Sequence, residues 1–196
     1  MNKVPDLARY DNSWYSPGRN LFIRSLWFFL GLPILRSSVI PSSALRRGLL
    51  RIFGAGIAKN VVVKPGVVVK YPWLLSVGEN SWIGESVWID NLAQIDIGSD
   101  VCISQGAYLC TGNHSWSDPA FGLILGPITV NRGAWLGARS IICPAVQIGE
   151  RAVICAGSVV TKNVPADEVH AGNPAQFVRP RQFQDWGSSR ARDLRS

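Results

Sequence analysis

From Ile57 to Val160 an aliphatic side chain keeps returning six positions on. Taken as the first residue of six, it aligns Ile57-AKNVV, Val63-KPGVV, Val77-GENSW, Ile83-GESVW, Ile89-DNLAQ, Ile97-GSDVC and Ile103-SQGAY. After a break the series resumes with Val130-NRGAW, Leu136-GARSI, Ile142-CPAVQ, Ile148-GERAV, Ile154-CAGSV and Val160-TKNVP. Position 1 is Ile, Leu or Val throughout, position 2 is often Gly or another small residue, and position 5 is Val, Ala or Ser. Slips of two residues fall near Leu75–Ser76 and Ile95–Asp96.

A half-buried strand alternates every two residues and an amphipathic helix repeats near every 3.6, so a period of six belongs to neither. It fits one short strand plus a turn. Three such units close a triangular coil of about 18 residues, with the aliphatic residues pointing inward and the small residue at the corner. No coil buries its core alone; stacking supplies the burial. The pattern predicts an all-β fold, a parallel β-helix over residues 57–175 with a loop inserted at 111–129. A basic, apolar N-terminal extension with short helices (1–56) precedes it, and a basic tail (176–196) follows.

Within the extension, Leu26–Leu35 is a ten-residue apolar run between Arg24 and Arg36, about half the length that spans a membrane. Pro33 and Pro41 break the region into short pieces. The run reads as a helical lid on the main domain. It also reads as an interfacial segment, residues 20–55, with Arg24, Arg36, Arg46, Arg47 and Arg51 facing anionic headgroups. The first twenty residues are polar and lack a signal-peptide core, which points to the cytoplasm, at most peripheral to the inner face of the membrane.

Composition narrows the classes. At 47% hydrophobic and 17% charged the 196-residue chain is not disordered. Its formal charge of +7 is uneven: residues 1–60 hold nine cations and two acids, whereas residues 61–175 hold six cations and nine acids. The middle lacks the interleaved arginines and stacking aromatics of single-strand binders, so a nucleic-acid partner is not expected. The four cysteines, Cys102, Cys110, Cys143 and Cys155, lack the C-x-x-C spacing of zinc or redox sites. Cys143 and Cys155 occupy position 2, where a small apolar thiol fits.

The break between Leu109 and Val130 adds about fifteen residues to the coil, and long excursions of this kind are usually functional or disordered. This one carries Trp116, Phe121 and Ile124 as anchors, and His114, one of two histidines. A free imidazole titrates near neutrality, which suits a general base taking a hydroxyl proton. Asp118 is placed to pair with it, although S-D-P is equally a turn.

The repeat resembles the hexapeptide-repeat acyltransferase superfamily over roughly Ile57 to Pro180. That resemblance implies a left-handed helix and a homotrimer. The segment from Tyr108 to Pro119 (YLCTGNHSWSDP) is similar to the catalytic segment of maltose, galactoside and Nod-factor O-acetyltransferases, and closer still to colanic acid biosynthesis acetyltransferases. The resemblance gives His114 the role of base. His170 lies where those families vary. Two histidines do not suffice for the zinc site of carbonic anhydrases of this fold, and no metal is expected.

The resemblance further implies acetyl-CoA as acyl donor, with Ala138 and Ala156 offering backbone contacts to its pantetheine arm and Trp135 lining the thioester end. Thr161 and Lys162 would lie near the far end and Arg179 near the nucleotide phosphates, where a cation suits the anionic group. Gln176 stands where relatives carry a basic residue, which shifts phosphate contact toward Arg181. Asp90 and Asn91 fall at the acceptor-binding segment, to hold a sugar hydroxyl or orient the imidazole, or else to make a local turn. Ser104 and Gln105 are weaker candidates. The expected activity is O-acetylation of a saccharide hydroxyl in exopolysaccharide or cell-surface glycan synthesis, on an acceptor that is lipid-linked or polymeric. Competing readings are an acetyltransferase for an antibiotic or sugar nucleotide, and a catalytically silent membrane-docking scaffold.

Overall fold

The computed structural model describes residues 4–183; the remainder of the expected basic tail, 184–196, lies outside the described residues. Short strands stack in parallel on three faces of a prism. The first face holds Gly56–Ile57, Leu75–Val77, Ile95–Ile97, Ile128–Val130 and Gln147–Ile148. The second holds Val62–Val63, Trp82–Ile83, Cys102–Ile103, Trp135–Leu136, Val153–Ile154 and Glu168–Gly172. Val68–Val69, Trp88–Asp90, Tyr108–Cys110, Ile141–Ile142 and Val159–Val160 make the third. The fold is a left-handed parallel β-helix.

Every position-1 residue is in the core, none more than 7% exposed. Position-2 glycines are required by the spacing of coils. A Cβ on Gly84, Gly137 or Gly149 would lie 2.4–2.7 Å from backbone atoms of the next coil. Gly56 stands beside Ser76 and Ser76 beside Asp96, so the first coils take 20 residues; Thr129 stands beside Gln147, an 18-residue coil. The slips in the repeat are therefore real. They are accommodated on the edge between the third and first faces, where Pro72–Leu74 makes a 3-10 turn.

Position 4, which the pattern left unremarked, has its own rule. Asn60, Gly66, Asn80, Ser86, Asp100, Gly106, Gly133, Arg139, Ala145, Arg151 and Gly157 all have positive φ there. These turns pass through the left-handed region whatever their residue, while Leu92 and Asn163, at the same position, do not. The stacked coils impose a conformation that most of these side chains would not choose.

The N-terminal extension is a cap and a strap. Helical turns run from Leu21 to Arg36, with a π-helical segment at Trp27–Gly31 where the Trp27 ring lies so close that a Cβ on Gly31 would meet it at 2.2 Å. The Trp27 indole N–H donates to Val69 O at 3.0 Å. A second helix, Ser43–Ile52, starts at the Ser42 cap and brings Leu50 beside Leu35 in the core. Three arginines expected to face headgroups are instead tied inward. Arg46 is buried, with its guanidinium on the carbonyls of Leu35, Ser37 and Ile40. Arg47 donates to Val61 O, and Arg51 to the carbonyls of Ile57 and Ala58. At the other end, the start of the expected tail is a strand, Ala175–Pro180, antiparallel to Glu168–Gly172.

Candidate active site

The inserted segment leaves the prism at Thr111, on the edge between the third and first faces, and has returned by Ile128. Its stem is a hairpin, Gly112–His114 against Leu123–Leu125. His114 is half-buried, and its Nδ1 lies 2.9 Å from the Phe121 carbonyl. A carbonyl only accepts, so Nδ1 carries the hydrogen and Nε2 the lone pair. The Phe121 ring stacks on the imidazole at 4.5 Å and 9°. Phe121 itself sits at φ 53°, a region that bulky residues occupy only when their surroundings enforce it. Asp118 does not reach the histidine. Its carboxylate accepts the Ala120 N–H, making the turn that the S-D-P spelling also allowed.

The other wall of the histidine's cleft comes from the first twenty residues, which the sequence had left without a role. Asp6 N–H donates to Pro119 O at 2.8 Å, and the Tyr10 ring lies 5.6 Å from the imidazole. The Tyr15 hydroxyl donates to Leu92 O at 2.9 Å, and the Trp73 indole N–H to Pro17 O. The resulting cleft, about 540 Å³, is lined by Tyr10, Asn12, Ser13, Tyr15, Tyr71 and His114, with Arg24 and Lys70. No carboxylate is among its described lining residues. Burial pushes the Tyr15 phenol well above its usual range, so this hydroxyl stays protonated. The only sequence signal was a polar, aromatic run, YDNSWYSPGRN, ahead of the first helix.

The residues expected to hold the acyl donor are spread over two edges and the last strand, and only Thr161 and Lys162 share the hairpin's edge. Ala138 and Ala156 stand one coil apart on the edge between the second and third faces, Ala156 exposed. Among the described residues their N–H groups donate to no acceptor of the chain, whereas the neighbouring Gly137 and Gly157 N–H groups are bonded. Trp135 is half exposed beside this edge, and its indole donates to Ser104 Oγ at 2.9 Å. Thr161 and Lys162 are exposed on the following edge, and Arg179 on the last strand. A single copy therefore leaves the alanine edge and the histidine hairpin on different edges of the prism. Arg181 is engaged elsewhere: it donates to the carbonyls of Gly133 and Arg151 and lies over the Phe183 ring.

Residues 127–162 match the family model described as bacterial transferase hexapeptide (six repeats). The proposed colanic acid biosynthesis acetyltransferase WcaF of Escherichia coli (strain K12) is 39% identical over 164 residues, 84% of this chain and 90% of that one. The chain belongs to the hexapeptide-repeat acetyltransferases. The galactoside O-acetyltransferase of the same organism is 30% identical over 68% of each chain. Among solved structures, a hexapeptide-repeat acetyltransferase from Vibrio cholerae complexed with acetyl coenzyme A superposes with a TM-score of 0.73 at 28% identity, covering 83% of this chain and 88% of that one.

In this acetyltransferase the remaining candidates divide between site and scaffold. Asp90 is half-buried, pairs with Lys70 at 2.9 Å and accepts the Tyr108 hydroxyl at 3.1 Å. It thereby fixes a cation of the cleft. Asn91 is fully buried, and its amide bonds the Tyr71 N–H and the carbonyls of Tyr71 and Leu74. That is the local-turn alternative, and it corrects the expectation of acceptor contact: Asn91 holds the lengthened corner of the coil above. His170 is buried against Glu168 at 2.7 Å and Phe177, a packing role. Cys143 is half-buried, and burial pushes its thiol up, which keeps it an unreactive filler. Among the described residues no His, Cys, Asp and Glu side chains gather in threes as a metal group.

Proposed function

We propose that this enzyme moves an acetyl group from acetyl-CoA to a hydroxyl of a saccharide in the synthesis of an exopolysaccharide or cell-surface glycan, with His114 as general base. The observation that carries the reading is the Phe121 carbonyl on Nδ1, which leaves Nε2 as the basic nitrogen in an open cleft. Rings of Tyr10, Tyr15 and Tyr71 beside Asn12 and Ser13 suit a sugar, which offers flat C–H faces and hydroxyls together. The names of the relatives favour the same acceptor class.

Bound acetyl-CoA supplies an activated acyl carbon. The small side chains of Ala138 and Ala156 and their unused N–H groups fit an amide-bearing arm, and Lys162 and Arg179 supply cations for its phosphates. His114 Nε2 takes the proton as the acceptor oxygen attacks the acyl carbon, and Nδ1–H stays on Phe121 O, which stabilises the imidazolium. The imidazolium gives the proton to the coenzyme A sulfur as the carbon–sulfur bond breaks. The homotrimer belongs to this reading, because a neighbouring copy is needed to bring the alanine edge to the histidine hairpin.

Replacing His114 with Ala tests it. Turnover on a responsive glycan, read as free thiol, should fall roughly 10²- to 10⁴-fold, with CoA affinity by calorimetry retained. Unchanged turnover would remove His114 from the chemistry.

A further inference from the structure

The helical stretch Leu21–Arg36 is apolar on two sides. Trp27, Gly31 and Leu35 are buried against the solenoid. Leu21, Phe22, Phe28, Phe29, Leu30 and Ile34 stand outward, 39–72% exposed. A contiguous exposed apolar patch on a soluble chain marks an interaction surface. Its electrostatic setting is one-sided as well: residues 12–78 contain nine cations and no acid. Arg46, Arg47 and Arg51 are tied to backbone carbonyls and Lys70 to Asp90. Arg19 and Arg36, near the two ends of the helical stretch, are exposed.

We propose that this face docks on an anionic phospholipid bilayer, with the aromatic ridge at the boundary between headgroups and acyl chains and Arg19 and Arg36 on the phosphates. A helix with an apolar outer ridge and cationic flanks fits that interface. No helix among the described residues is long and apolar enough to cross a membrane, so the contact is peripheral. A second copy is a poor occupant for the same patch. Self-pairing would bring the exposed Arg19 and Arg36 of two copies together, and the carboxylate of the adjoining groove, Asp90, is already paired with Lys70. An apolar groove of about 450 Å³ also opens beneath the ridge, between Phe28, Phe29 and Trp88, and it shares Arg24, Lys70 and Tyr71 with the histidine cleft. Docking this way sets the mouth of the cleft beside the headgroups. The inference stands on surface chemistry and does not depend on which acceptor is acetylated.

The test is sedimentation of the full chain with vesicles of phosphatidylcholine and phosphatidylglycerol in equal parts, and with phosphatidylcholine alone. The wild-type chain should pellet with the anionic vesicles and more weakly with the neutral ones. A variant combining Phe22→Ser, Phe29→Ser and Leu30→Ser should lose at least about tenfold in partitioning, with circular dichroism and thermal midpoint kept. Arg36→Glu should weaken binding to the anionic vesicles alone. The proposal is overturned if the wild-type chain stays in the supernatant at low salt, or if the triple variant pellets equally well. A smaller mass for the triple variant by light scattering would also overturn it, since the ridge would then be covered by another copy.

Discussion

At the scale of single residues, the histidine's tautomer is set by a carbonyl that Phe121 presents from a left-handed backbone. Phe121 is thus a positioning residue. Replacing it with Gly relaxes the backbone but removes the ring that stacks on the imidazole. We expect kcat to fall roughly tenfold to a hundredfold, with the KM for acetyl-CoA unchanged and the melting temperature within a few degrees. Steady-state kinetics alongside calorimetry check this, and an equal loss in a Phe121→Tyr variant would argue against the stacking role. His114 was legible in the sequence because it is a titratable residue in an interruption of a strict repeat. Phe121 was legible only as an anchor, since neither its backbone angle nor its carbonyl direction has a sequence signature. Asn91 stayed open between ligand and local turn for the same reason: an amide bonding an adjacent corner and one bonding a ligand are spelled alike.

At the scale of the coil, the repeat positions differ in what they tolerate. Position 2 is limited by the backbone of the next coil, which cannot move aside as a side chain can. Gly137→Ala would set a Cβ 2.5 Å from Ala156 N and 2.6 Å from Ile154 O. It should cost about 1–3 kcal/mol by overpacking. Gly48 is the control, because a Cβ there meets nothing within 4 Å. It lies inside the helix Ser43–Ile52, where Ala should stabilise by about 0.5–1 kcal/mol. Denaturant unfolding of both variants measures the contrast. Positions 1, 2 and 5 were readable because burial restricts their side chains. Position 4 was not, because its restriction falls on the backbone, and Asn, Asp, Ser, Arg, Ala and Gly all comply.

At the scale of the whole molecule, the +7 charge is partly an internal fastening. Arg46, Arg47 and Arg51 hold the helical cap to the solenoid, so counting cations overstated what the surface offers. Sequence periodicity located the prism and its coil lengths well. It had nothing to say about the strap of the first twenty residues, which is tied by contacts without a period. The separation of the alanine edge from the histidine hairpin carries a prediction about assembly. Light scattering should give three times the 21.4 kDa chain mass. Co-expressing His114→Ala with an Ala156→Trp chain, each inactive alone, should restore measurable turnover, because some contacts between copies then pair two intact halves. No restored activity would mean that each chain works by itself.

The strap has one more consequence, for the order in which the molecule opens. Contacts within the solenoid join residues about one coil apart, whereas the Tyr15 hydroxyl reaches a partner 77 positions away, and Asp6 reaches Pro119. Short-range stacking survives small excursions, but a thin segment held by a few distant bonds releases first. Amide protons at Asp6 and Tyr15 should therefore exchange before those of the coils. The wall of the histidine cleft is then the part of the molecule that comes and goes, while the floor stays folded.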